Sequence, residues 1–121
     1  MNPRSENKTK MNQDKHKSQN LSLQLAKELQ RQLENILEGQ IQVTLFGSQA
    51  RGNASGESDV DVLVILPDLE KKTLDAVFDV AWEIGFEAGK VISVVPATRE
   101  ELTLLSASPF FQAIQREGIP V

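Results

Sequence analysis

A chain of 121 residues, 40% hydrophobic and 25% charged with a net charge of −4, can build one domain around a single core but not two. No apolar run reaches the length of a membrane helix, and no apolar segment follows the charged N-terminus as a secretory signal would. The absence of cysteine removes disulfides, thiolate metal sites and thiol nucleophiles, and a cytoplasmic protein is the simplest expectation.

Residues 1–17 are polar and lack apolar periodicity. Arg4, Lys8, Lys10, Lys15 and Lys17 against Glu6 and Asp14 give this segment +3, which leaves −7 on the remainder. A disordered leader is expected here, although a basic tail could also touch an acidic partner or nucleic acid. Met11 offers an alternative start of translation. His16, the single histidine, lies in this tail and is not expected to be a ligand or a base. The first helix is expected over residues 21–38. Leu21, Leu25, Leu29, Leu33, Ile36 and Leu37 form one apolar stripe, Asn20 is placed to cap it and Gly39 to stop it.

Residues 41–46 interleave Gln42 and Thr44 with apolar side chains and predict a strand. Gly47 and Ser48 follow at once. A glycine there permits a sharp turn and a close approach of ligand to main chain. Ser48 is expected to cap a short helix through Gln49, Ala50 and Arg51, whose first amides would favour a phosphate. Residues 53–58 carry loop chemistry. Residues 60–66 then form a nearly continuous apolar strand with Asp59 at its start.

Pro67 and Asp68 end that strand, and residues 71–88 predict a helix closed by Gly89. Its core face is Leu74, Val77, Phe78, Ala81, Ile84 and Ala88. On the other side Asp75, Asp79, Glu83 and Glu87 recur every fourth residue, a spacing at which like charges cost a helix roughly 0.2–0.5 kcal/mol per pair. Trp82 and Phe86 fall beside this acidic row. A solvated face and a partner surface built from Asp75, Asp79, Trp82 and Glu83 are equally good readings. Residues 91–95 predict a third strand stopped by Pro96. Thr98 to Glu101 spell a capping box for a helix running to about residue 105. Ser108 and Pro109 open a last helix, anchored by Phe110, Phe111 and Ile114 and ended by Gly118. Phe110 and Phe111 are expected in the core rather than as a base-stacking platform, since no basic patch surrounds them. Alternating strands and helices predict an α/β fold with a three- or four-stranded mixed sheet flanked by helices.

Asp59 and Asp61 are two apart on a strand and so share a face. Two carboxylates side by side repel, and a divalent cation between them removes that cost. Mg²⁺ takes one or two carboxylates together with water and phosphate oxygens. An isolated Asp-x-Asp would be read as a loop cap and a strand-edge acid. Following a Gly-Ser turn between two strands, it is read as a metal site opposite a phosphate-binding turn.

These residues resemble the signature of the minimal nucleotidyltransferases, within the DNA polymerase beta-type superfamily: Gly-Ser, a short spacer, then Asp-x-Asp. Here Gly47-Ser48 is followed by residues 49–58 and by Asp59-Val60-Asp61, flanked by GSQARG and SDVDVLVIL. The match is specific over residues 45–66, and beyond them only the order of strands and helices agrees. The resemblance implies a nucleotidyltransferase domain over residues 18–121. It implies Mg²⁺ on Asp59 and Asp61, and the β- and γ-phosphates of ATP on Gly47 and Ser48. Arg51 is left with two roles, contacting phosphate or tying down the loop. The family's third carboxylate would fall near residues 91–93, where Val91, Ile92 and Ser93 supply no acid.

Two functions follow from the resemblance. The first is an enzyme that moves AMP from ATP to a partner protein, as the antitoxin of a toxin–antitoxin pair with a helical HEPN-type ribonuclease. The second is a catalytically silent module that neutralises the same partner by masking it. A polymerase is not expected, because the folded part is acidic and too small for a template channel, and direct nucleic-acid binding is not expected either. The sequence leaves open the base preference, the acceptor residue and the oligomeric state.

Overall fold

β-Branched and aliphatic runs separated by glycines and prolines fold into five helices and four strands among the described residues. The computed structural model describes residues 3–53 and 59–121, with side chains from His16 onward. The order is α1 (Pro3–Ile36), β1 (Gln42–Phe46), α2 (Gly47–Arg51), β2 (Val60–Ile65), α3 (Lys71–Ala88), β3 (Ile92–Ala97), α4 (Arg99–Leu104), α5 (Pro109–Glu117) and β4 (Ile119–Pro120). The strands form one sheet in the order β3-β2-β1-β4. β2 runs parallel to β3, and β1 runs antiparallel to both β2 and β4. This is the expected mixed α/β sheet, with its fourth strand supplied by the last residues of the chain. The loop expected at residues 53–58 lies outside the described residues after Asn53. No helix among the described residues is long and apolar enough to cross a membrane.

β2 is the centre of the core because it is covered on both faces, the condition that favours a continuous apolar strand. Val60, Val62 and Val64 point to one face and are fully buried against Leu25, Leu29 and Leu33 of α1 and Val77, Ala81 and Ile84 of α3. Leu63 points to the other face. It packs with Ala97 and Ile114, edged by Phe46, Val95, Leu102 and Phe111. Asp61 lies on this second face, which only α4 and α5 cover.

Several expected boundaries and burials change. The first helix does not begin after Asn20: it runs back to Pro3, so Asn20 is inside it and residues 3–17 of the expected disordered leader are helical. Neither Gly nor Pro interrupts residues 4–38, and Lys, Gln and Glu there are good helix formers. Ser18 and Ser22 are buried in that helix, and Ser22 Oγ donates to the Ser18 carbonyl at 2.9 Å. Ile36 is exposed, since it falls in the last turn beyond the sheet. Phe78 is 47% exposed rather than core, while Thr73 and Gly85 are buried in α3. Phe110 is likewise 49% exposed, with Phe111 half-buried and Ile114 buried as expected.

Pro96 sits inside β3 instead of stopping it. β3 is an edge strand, and the carbonyls of Val91 and Ala97 face β2, accepting from Val60 N and Leu66 N. The alternate residue Pro96 therefore presents its missing N–H to the outer edge, where no strand needs it. The capping box at Thr98 forms as expected: Glu101 N donates to Thr98 Oγ1 at 3.2 Å, and Thr98 N donates to Glu101 Oε1 at 3.3 Å. Pro109 opens α5 after Ser108, but the Ser108 hydroxyl makes no capping bond.

Gly85 shows why a glycine stands in mid-helix. After α3 closes at Gly89 the chain folds back, and Lys90 N donates to the Gly85 carbonyl at 2.8 Å. A Cβ on Gly85 would lie 2.5 Å from the Lys90 carbonyl oxygen. Gly85→Ala should therefore destabilise the protein by about 1–3 kcal/mol, despite alanine's better helix propensity. Urea unfolding monitored by circular dichroism measures the difference.

Candidate active site

The site begins at the end of β1. The β1–β2 register sets Phe46 opposite Asp61, and the β2–β3 register sets Asp61 beside Ser93. Immediately after Phe46 the chain turns at Gly47, with φ of 73°. A Cβ there would lie 2.6 Å from Asp61 Oδ2. Two constraints thus select glycine: the left-handed backbone and the carboxylate lying against it. The Gly-Ser turn and the Asp-x-Asp strand, read from sequence as parts of one site, are in direct contact.

Ser48 does not cap α2. Phe46 occupies that position without a side-chain cap, and Ser48 lies inside the first turn, its carbonyl accepting from Asn53 N at 3.0 Å. The Ser48 hydroxyl makes no hydrogen bond among the described residues, so it is available to a ligand. α2 has only five residues and cannot hold its own shape. It is clamped from both ends. On one side Ser18 Oγ donates to Gln49 Oε1 at 3.0 Å, Gln49 being fully buried, and Gln19 Nε2 donates to the Ala50 carbonyl at 3.0 Å. On the other side Arg51 pairs with Glu117 of α5 at 3.3 Å. This contact ties Arg51 to α5, and both roles read from the sequence for Arg51, phosphate contact and loop tie-down, stay open beside it.

Asp61 is half-buried and Asp59 is exposed. Burial first, and then the negative charge of Asp59, push the Asp61 carboxyl above the usual carboxylate range, with Arg51 pulling the other way. This is a carboxylate without enough positive charge around it, the condition that favours a cation. Ser93 is the side chain on β3 beside Asp61, and among the described residues no group of three His, Cys, Asp or Glu is placed to hold a metal. Phe46 and Phe110 meet edge to face at 5.8 Å, which puts an exposed ring next to the β1 end of the site. Asp75, Asp79, Trp82 and Glu83 are not brought here. They lie on the outer surface of α3, which packs on the opposite face of the sheet.

Sequence reading missed Ser18, Gln19, Gln49 and Glu117 as positioning residues. For Ser18 a signal existed. Positions 18 and 22 extend the stripe of Leu25, Leu29 and Leu33 backwards at helical spacing, but serine hid it. Glu117 carries no local signal, since it meets Arg51 only through the packing of α5.

A family model described as a nucleotidyltransferase domain matches residues 23–115. The chain belongs to this nucleotidyltransferase family. A protein of Methanocaldococcus jannaschii that carries a provisional protein adenylyltransferase name is 38% identical over 77 residues, which are 61% of this chain and 52% of that protein. Bifunctional uridylyltransferase/uridylyl-removing enzymes of Burkholderia vietnamiensis and Burkholderia thailandensis are 35% identical over 69 residues, 54% of this chain and 8% of theirs. The nucleotidyltransferase domain thus spans about half the length of the archaeal relative and under a tenth of the bacterial ones. No solved structure matches at a significant level. The sheet, the turn and the Asp-x-Asp strand are the nucleotidyltransferase fold in its expected arrangement.

The strain at Asp61 has a sign that can be measured. A carboxyl whose pKa is raised by folding destabilises the folded state when ionised, and the penalty shrinks as pH falls from the raised value toward the ordinary one, below which it is gone. In EDTA, Asp61→Asn should therefore raise the melting temperature at neutral pH, and the gap should close as the pH falls below that value. Gly47→Ala should cost roughly 1–3 kcal/mol from backbone strain and should also displace Asp61. Thermal melts across pH check the first, and the Asp61 carboxyl chemical shift by NMR checks the second.

Proposed function

We propose that this nucleotidyltransferase domain moves AMP from ATP to a partner protein, as the antitoxin of a toxin–antitoxin pair whose toxin is a HEPN-type ribonuclease. The observation that carries the transfer reading is the contact of the Gly47 turn with Asp61, which brings a backbone suited to phosphate against an under-compensated carboxylate. The name of the archaeal relative supports AMP and a protein acceptor, while the names of the bacterial relatives support nucleotidyl transfer with a different base. A cytoplasmic location, where ATP is available, goes with this reading. We take the domain to start at Ser18, whose hydroxyl holds Gln49.

Asp59 and Asp61 fit a Mg²⁺ site in donor chemistry: two hard oxygen ligands, which Mg²⁺ supplements with water and phosphate oxygens. When bound, Mg²⁺ supplies neutralisation of charge on the phosphates. The chain's own contribution is positioning. Gly47 and Ser48 offer main-chain N–H groups and a free hydroxyl to the β- and γ-phosphates. The Ser18, Gln19 and Glu117 clamps hold α2 in place before substrate arrives, which lowers the ordering cost of binding. In the transfer, an acceptor oxygen forms a bond to the α-phosphorus, the bond to the bridging oxygen breaks, and pyrophosphate leaves. The acceptor proton must also leave, and Ser93, beside Asp61, is no base at neutral pH. A carboxylate of the partner would serve.

The same position favours a second reading. With serine where a third acid would stand, the domain would bind nucleotide weakly and neutralise its partner by covering it.

Mass spectrometry of the partner after incubation with ATP and Mg²⁺ separates the two. Added AMP mass supports transfer; complete neutralisation with no added mass supports masking. Mg²⁺ should tighten ATP binding to the wild type and not to Asp61→Asn, as titration calorimetry reads directly. Ser93→Asp should raise the transfer rate, since general-base assistance is typically worth roughly 10²–10⁴-fold.

A further inference from the structure

We propose that the outer surface of α3, with the start of β3, is a docking site for a basic amphipathic helix of a partner protein. The proposal does not rest on nucleotide transfer, because Asp61 lies on the opposite face of the sheet from α3. Trp82 and Phe86 stack at 5.0 Å with rings 14° apart, yet they are 66% and 71% exposed. Tryptophan is among the residues that most often anchor interfaces, and here it lies stacked and mostly in water. Phe78 and Val91, also exposed, continue the apolar surface. Between α3 and β3 these side chains border a groove of about 390 Å³ floored by Ala81 and Ile92.

Charge identifies the occupant. At about 100° per residue, Asp79, Glu83 and Glu87 run along one flank of the aromatic pair and the groove runs along the other. Lys71 neutralises Asp75 at 2.7 Å, but Asp79, Glu83 and Glu87 have no ion-pair partner among the described residues. Among the described residues, Lys90 at one end is the single cation lining the groove. A second copy of the chain is disfavoured, because two-fold pairing of α3 on α3 would set the acidic rows close to each other. A strand added to the outer edge of β3 would meet Pro96, which has no N–H to give. An anionic membrane would be repelled. A helix with lysines or arginines on one flank and an apolar anchor on the next satisfies both features of the surface.

Trp82 is the only tryptophan, so its fluorescence reports on the surface directly. The probes are two synthetic helical peptides with leucines at identical helical spacing, one carrying lysines and the other glutamates. The lysine peptide should shift Trp82 emission to shorter wavelength in a saturable manner, and the glutamate peptide should not. Phe86→Ala, and separately Asp79→Lys with Glu83→Lys, should each weaken the lysine peptide about tenfold, while thermal melts show these exposed variants folded. Equal binding of both peptides, no emission shift, or wild-type affinity in the variants would overturn the proposal. Sedimentation of the chain alone should show a monomer. A dimer lost on Phe86→Ala would give the surface to a second copy and overturn the proposal as well.

Discussion

The site depends on the pairing of β1 with β2. That register sets Phe46 opposite Asp61, and the next residue, Gly47, turns the chain over the Asp61 carboxylate. A slip of one residue would move Asp61 to the opposite face, under α1 and α3, where a carboxylate would lie among valines and leucines. The register is held by the burial of Val43 and Leu45 of β1 and of Val60, Val62 and Val64 of β2, all fully buried. Hydrophobic packing on one face of the sheet therefore fixes a polar arrangement on the other.

The two faces of the sheet divide the labour. α1 and α3 cover one face with a continuous aliphatic core. The other carries the smaller cluster of Leu63, Ala97 and Ile114 under α4 and α5, with Asp61 half-buried on the same face. α1 does more than pack. Its turn at residues 18–22 carries the donors that hold α2, and Glu117 of α5 holds α2 from the far end. The five-residue helix after the Gly47 turn is thus held by its neighbours rather than by its own hydrogen bonds alone.

The surface of α3 stands apart from this economy. Its buried residues serve the core, and its exposed aromatics and acids serve neither the core nor the Asp61 site. A docking surface on α3 would lie on the face of the sheet away from Asp61 and leave the Asp61 side open. That arrangement suits a partner that is modified and equally one that is only covered.

Much of this was written in local sequence. The apolar stripes, the capping box at Thr98, the Gly89 stop and the Gly-Ser turn ahead of Asp59 and Asp61 are set by period and by residues with strong backbone preferences. These act over a few residues and need no tertiary partner. Tertiary structure decided the rest. Pro96 entered a strand because only an edge strand tolerates its missing donor. Phe78 and Phe110 stayed exposed because helical angle alone does not say how far a neighbouring element reaches. Ser18, Gln49 and Glu117 became positioning residues through contacts 31 and 66 residues apart in sequence. A hydrogen bond or ion pair at that separation leaves no trace in local pattern, because the geometry that makes it exists only after the sheet has formed.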